Sequence, residues 1–142
     1  MAEKTYFVKE AINPKFIADQ IAKHSSKHDI GGHSIFLGQV RADEIDGKKV
    51  ESIEYSAYEE MATREISKIR EAAFSKRSLT CLHIYHSLGL VKAGEISLFI
   101  FVSAKHRKEA IAAMTELVED VKLKVPIWKK EILQDKTEKW VD

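Results

Sequence analysis

The chain has one cysteine, almost no net charge and no long apolar run, and each shortage excludes a class of protein. Cys81 is the single cysteine among 142 residues, so an internal disulfide is excluded and a reducing compartment is expected. The 23 basic and 22 acidic residues leave a formal charge of +1, which argues against nucleic-acid binding by bulk charge. The first residues have no apolar signal core, and no apolar run approaches membrane-spanning length. We therefore expect a soluble, cytoplasmic protein that binds neither nucleic acid nor membrane.

Short motifs of catalysis and metal binding are also missing from the sequence. There is no Ser-His-Asp order, phosphate-binding glycine loop or zinc motif. His83 and His86 are an odd number of residues apart, so a regular strand would place them on opposite faces. His24 and His28 have helical spacing but lie in a polar segment, and Cys81 alternates with apolar neighbours, as core residues do. We expect no metal site and no bound cofactor.

The apolar pattern predicts a single domain, spanning 1–142, with six strands and three helices. The predicted strands are 5–9, 33–41, 50–58, 80–87, 95–103 and 127–134; the predicted helices are one that begins at Asn13-Pro14, one over 59–76 and one over 107–124. The polar stretch 42–49 is expected to be a mobile loop. Strands and helices alternate irregularly, which favours an α+β fold with helices on one face of a mostly antiparallel sheet.

The segment 122–131 is the most informative part of the sequence, because four lysines surround Pro126 and Trp128. Proline disfavours helix in the residue before it, so the preceding helix must end there. Several cations would then surround a structural corner, which suits an anionic small molecule or a carboxylate tail. Helical spacing does not choose between Lys122 and Lys124. Lysines near a helix C-terminus also complement the helix dipole, so an ordinary structural role stays open.

This segment reads K-x-x-x-P-x-W-K-x-E and resembles the signature of the large, catalytic subunit of molybdopterin synthase. Three other stretches agree with that family in order and approximate spacing: Gly38-Gln39-Val40-Arg41, His86-Ser87-Leu88-Gly89 with Gly94-Glu95, and His106-Arg107. We interpret His86 as a structural residue. The resemblance runs from about residue 5 to residue 141 and implies an α/β-hammerhead-like form of the predicted α+β fold.

The resemblance implies a sulfurtransferase of molybdenum cofactor biosynthesis. The family transfers two sulfurs onto cyclic pyranopterin monophosphate, which produces the dithiolene of molybdopterin. Sulfur arrives as a thiocarboxylate on the C-terminal Gly-Gly of a small ubiquitin-like carrier subunit. The implied assembly is a heterotetramer, with a central homodimer of this chain and one carrier at each end. The transfer needs no metal.

The resemblance also assigns roles to five residues. Lys122 and Lys129 are implied to be the catalytic pair, and Arg41, His106 and Arg107 to bind the substrate. A helix N-terminus favours anions and an arginine adds a bidentate fork, although exposed polar residues at a helix start are also common. On one straight helix, Arg107 and Lys122 would lie about 22 Å apart. If both serve one pocket, they must therefore come from different subunits.

A function of another class stays open from the sequence. The same basic corner could serve a non-catalytic α+β ligand-binding or RNA-binding module. The RNA version lacks the aromatic sheet motif that RNA-binding sheets carry.

Overall fold

The computed structural model describes residues 5–141, which form three helices and an eight-stranded sheet. The elements in chain order are β1 (Phe7–Lys9), α1 (Pro14–Lys23), β2 (Gly32–Gln39), β3 (Glu44–Ile45), β4 (Lys48–Ala57), α2 (Glu59–Lys76), β5 (Cys81–Lys92), β6 (Ile96–Ala104), α3 (Arg107–Lys124), β7 (Ile127–Leu133) and β8 (Glu138–Val141). The predicted α+β class is confirmed. No helix in the described part is both long and apolar enough to span a membrane.

The sheet has the strand order β2-β6-β5-β4-β7-β8, and each of these neighbouring pairs is antiparallel. β1 lies parallel to β5, and β3 pairs with β4. The long strand β5 joins two halves of the sheet, because its residues 81–86 pair with β6 and its residues 89–92 pair with β4. The chain changes partner at Gly89, whose φ of 95° lies in the left-handed region that glycine adopts easily.

The core lies on both faces of β5 and β6. Alternate residues such as Ile84 and Ile100 pack against α2 and α3, whereas Phe99 and Phe101 pack against Ile17 of α1. The prediction placed the helices on one face; α2 and α3 share one face, whereas the short α1 covers the other. The reason is visible in β6, in which every residue after Ile96 is buried, so both of its faces need cover.

The helices follow the sequence signals closely. Asn13 caps α1, with its Oδ1 accepting a hydrogen bond of 2.8 Å from the backbone N–H of Lys15. α2 and α3 have the predicted bounds. Val125 is extended (φ −87°, ψ 123°) and α3 ends at Lys124, as the following proline requires. The chain then turns directly into β7.

Three segments differ from the prediction. One is β8 (Glu138–Val141), which was not predicted as a strand. The stretch 42–49, expected to be a loop, contains a small hairpin in which β3 pairs with the start of β4. Its turn lies at Asp46 and Gly47, whose φ values of 51° and 79° suit the tight turn that the sequence indicated there. β5 continues to Lys92 rather than ending at Ser87, because it gains β4 as a new partner beyond Gly89.

Candidate active site

A cavity of about 400 Å³ lies at the corner where α3 gives way to β7. Its apolar walls come from residues such as Leu98, Val121 and Ile127. Its polar lining is Gln39, Arg41, Asp43, Tyr55, His86, Ser97, Lys122, Lys129 and Glu131. Three of the five residues that the sequence singled out therefore line one cavity in a single copy of the chain.

Lys122 and Lys129 meet in this cavity because the end of α3 and the start of β7 are separated by only two residues. Lys129 is half-buried, and burial lowers the pKa of its ammonium group. The charges of Lys122 and Arg41 lower this pKa further, whereas Glu131 opposes them. Lys129 is thus a lysine whose neutral form is more accessible than that of a surface lysine.

The neighbouring lysines differ from this pair in their partners. Lys124 Nζ lies 3.2 Å from Asp120 Oδ1, and Lys130 Nζ lies 2.9 Å from Glu138 Oε1. Among residues 5–141, no carboxylate lies within 4.0 Å of the Nζ atom of Lys122 or Lys129. The structure therefore separates Lys122 from Lys124, which the helical spacing left equivalent. Two lysine side chains without an ion-pair partner within this distance in the described part of the chain give the cavity a lining that suits an anion.

A neutral histidine lies in the wall of the cavity. His86 is 6% exposed, and its Nδ1 donates a hydrogen bond of 2.8 Å to the carbonyl oxygen of Ser87. Burial lowers the pKa of His86 to about 4, and the charges of Lys129 and Lys122 contribute to the lowering. The edge of the Tyr55 ring packs against His86 with centroids 5.1 Å apart. His86 therefore shapes the cavity without adding a third positive charge to it at neutral pH.

Arg41 lies at the mouth of the cavity, just beyond the end of β2. Its side chain is 82% exposed, and its Nη2 atom lies 3.1 Å from Asp43 Oδ2. An exposed ion pair of this kind is worth little, so a stronger anion can replace the aspartate as the partner of the guanidinium. Arg41 is positioned to reach a ligand that enters the cavity.

His106 and Arg107 lie at the other end of α3. They border a separate groove with Gly31, Lys105 and Lys108. α3 is one continuous helix from Arg107 to Lys124, so Arg107 and Lys122 are separated by about 22 Å along its axis. Within one copy of the chain, His106 and Arg107 therefore do not reach the cavity.

Several lining residues were not singled out from the sequence. Glu131 had a usable signal, because it follows Lys129 by two residues and a strand places both side chains on the same face. Tyr55 and Ser97 had none: the Tyr55 hydroxyl donates a hydrogen bond of 3.1 Å to Ser97 Oγ across 42 residues of sequence. Only the pairing of distant strands brings these groups together.

The fold and the cavity define a small α+β protein with a cationic pocket for an anionic ligand. A model of the family described as "MoaE protein" matches residues 8–124. The chain belongs to this family.

Individual relatives agree with the family match. The "Molybdopterin synthase catalytic subunit" of Pyrococcus abyssi is 43% identical over 126 residues, which are 89% of this chain and 83% of that protein. The protein of the same name from Drosophila grimshawi is 46% identical over 108 residues; these are 75% of this chain but only 30% of that longer protein.

Solved structures have the same fold. The crystal structure of molybdopterin synthase from Staphylococcus aureus has a TM-score of 0.84 at 34% identity, over 96% of each chain. A complex of subunits 1 and 2 of the molybdopterin-converting factor from Helicobacter pylori has a TM-score of 0.81 over 96% of this chain and 88% of that one. Its identity of 22% shows a shared fold alone.

Proposed function

We propose that this chain is the catalytic subunit of a molybdopterin synthase. It transfers sulfur from the thiocarboxylated Gly-Gly end of a small ubiquitin-like carrier to cyclic pyranopterin monophosphate, forming the molybdopterin dithiolene. The observation that supports this most is the cavity in which Lys122 and Lys129 lack carboxylate partners among the described residues. Both the carrier tail and the substrate phosphate are anions, and two unpaired ammonium groups suit them. The single cysteine fits a cytoplasmic enzyme in a reducing compartment.

The two lysines have different surroundings, which suggests different roles. Lys122 is exposed at the end of α3, where its side chain can hold the thiocarboxylate and stabilise charge on its carbon. Lys129 is half-buried and has a lowered pKa, so it is the better candidate to accept and return a proton during transfer. Arg41 at the mouth adds a fork for the substrate phosphate.

The assembly we propose is a heterotetramer, in which two copies of this chain form the centre and each copy binds one carrier. Its support is the distance along α3, which leaves His106 and Arg107 too far away to serve the cavity of their own chain. In a dimer, these residues of one copy would approach the cavity of the other and bind the pterin phosphate. The carrier tail would enter the same cavity as an extended peptide whose terminal carboxylate group is captured.

The test is a reconstitution with purified components. The chain is incubated with thiocarboxylated carrier and the cyclic precursor, and the dithiolene product is assayed after conversion to a fluorescent derivative. We expect product only when all three components are present. The matched control is the same carrier with an ordinary carboxylate end. The alternative of a non-catalytic ligand-binding or RNA-binding module predicts binding of precursor or RNA without product, and that result would overturn the proposal.

A further inference from the structure

A second cluster of chemically active side chains lies on the α1 face of the sheet, opposite the face covered by α2 and α3. His24 is the residue that ends α1, Cys81 begins β5, and His83 follows two residues later on the same face of β5. One ligand atom from each of these residues lies within 4.8 Å of the other two. The residues are brought together across more than fifty positions of sequence, so no local spacing motif announces them.

The geometry of the two histidines suits coordination of one ion. His24 Nδ1 lies 2.7 Å from the backbone carbonyl oxygen of Gln20, which can only accept, so Nδ1 carries the proton and the lone pair is on Nε2. This lone pair accepts a hydrogen bond of 3.1 Å from His83 Nε2, which therefore carries the proton of the His83 ring. A tetrahedral zinc ion with Zn–N bonds of about 2.0–2.1 Å holds two nitrogens about 3.3 Å apart, close to the separation found here.

The surroundings of these residues also resemble those of metal sites in proteins. The Nδ1–H of His24 bonded to a carbonyl is the outer-shell contact that fixes a ligating imidazole in proteins. His24 and Cys81 are each 6% exposed, and the Phe101 ring packs against His24 with centroids 4.8 Å apart. Two imidazole nitrogens and one thiolate form a donor set preferred by zinc and related thiophilic ions.

Lys27 occupies the open side of the cluster. Its Nζ donates a hydrogen bond of 2.8 Å to Cys81 Sγ. The residue is exposed and lies in the segment that follows α1, so its side chain can leave without disturbing the core. Cysteine binds metals as the thiolate, so a cation can take the place of the ammonium group at Sγ.

We propose that His24, Cys81 and His83 form a binding site for one thiophilic divalent cation of the zinc class, with Lys27 displaced when the cation binds. Cys81 coordinates as the thiolate and its proton is released to solvent. The proton of His83 moves from Nε2 to Nδ1, so that Nε2 can bind, and a water molecule completes a tetrahedral shell. The bound ion ties the end of α1 to the first residues of β5. It lies apart from the lysine cavity, so it takes no part in sulfur transfer. This proposal departs from the expectation from the sequence that the chain has no metal site.

The test is a titration of the reduced, chelator-treated full chain with Co²⁺, followed by absorbance. We expect saturation at one equivalent, with a thiolate-to-cobalt charge-transfer band, the intense visible bands of tetrahedral cobalt, and loss of both on addition of Zn²⁺. Cys81→Ser should abolish the charge-transfer band. His83→Gln should weaken Co²⁺ binding by at least about 100-fold, because even outer-shell partners of a metal ligand cost 10–100-fold.

Three controls make the titration decisive. His28→Gln changes an exposed histidine of the same segment and should leave binding unchanged. Lys122→Ala should also leave it unchanged, since the lysine cavity is a separate site. Lys27→Met should tighten binding, because the competing ammonium group is gone, and this variant removes no buried group. A wild-type chain without the charge-transfer band, or equal binding by Cys81→Ser, would refute the metal site. If Cys81→Ser does not fold, unchanged binding by His83→Gln refutes it independently.

Discussion

Complementation between two inactive variants tests whether each catalytic pocket is built from two copies of this chain. α3 is continuous and separates Arg107 from Lys122 by about 22 Å, more than a small pterin can span. Arg107→Ala and Lys122→Ala homodimers should each be nearly inactive, because every pocket lacks one group. A mixed dimer has one pocket with both residues and one pocket with neither. With random exchange about half of the dimers are mixed, so the mixture should recover roughly a quarter of wild-type activity.

The assay is dithiolene formation after the two variants have been mixed and subunit exchange has been demonstrated by mass spectrometry of the intact dimers. A matched control comes from Arg41, which lines the same cavity as Lys122 in one chain. Mixing Arg41→Ala with Lys122→Ala should give no recovery, since neither pocket of the mixed dimer is intact. If the mixture of Arg107→Ala and Lys122→Ala recovers no activity after proven exchange, the shared pocket is refuted. Equal recovery in this mixture and in the Arg41→Ala mixture would also refute it.

Three further predictions concern the cavity and the groove at the other end of α3. The pKa of His86 is about 4 in the folded chain and 6.5 in the unfolded chain. Between these pH values the unfolded chain binds more protons, so the free energy of unfolding should fall by up to about 3 kcal/mol as the pH decreases from 6.5 to 4. Urea unfolding at a series of pH values should show a smaller loss of stability in His86→Gln than in the wild type. Parallel plots of unfolding free energy against pH for the two proteins would contradict the lowered pKa of His86. Lys122→Met removes a neighbouring charge and should raise the pKa of Lys129, measured by NMR titration of its side-chain carbon next to Nζ; an unchanged pKa would mean that the two groups are not coupled. Arg107→Ala should weaken binding of the precursor more than binding of the carrier in calorimetric titrations, and unchanged affinity for the precursor would remove Arg107 from the site.

The helices and most strands could be predicted from the sequence because their signals are local. Apolar residues at helical spacing fixed α2 and α3, and the proline after Val125 marked where α3 ends. The position of α1 on the opposite face was not predicted, because it depends on how the strands are arranged in the sheet. The continuation of β5 past Gly89 could not be predicted, because it depends on a strand partner from another part of the chain.

The cavity was predictable only in part, for the same reason. The basic corner and the family resemblance pointed to Lys122 and Lys129, but the choice against Lys124 rests on the cavity, whose lining includes Lys122 and not Lys124. Tyr55 reaches the cavity through the pairing of distant strands and through its hydrogen bond to Ser97. No spacing in the sequence predicts that such groups lie together. The same holds for the cluster of His24, Cys81 and His83.

Single-turnover sulfur transfer by three lysine variants tests the central claim most directly. Each variant is mixed with thiocarboxylated carrier and precursor, and the rate at which the carrier end becomes a carboxylate is followed by mass spectrometry. The account predicts near-complete loss for Lys122→Ala, severe loss for Lys129→Ala and a much smaller effect for Lys124→Ala, whose ammonium group is paired with Asp120. Circular dichroism should show that all three variants are folded. Equal loss from all three would contradict the account, because general basicity rather than a defined pair of lysines would then drive the transfer.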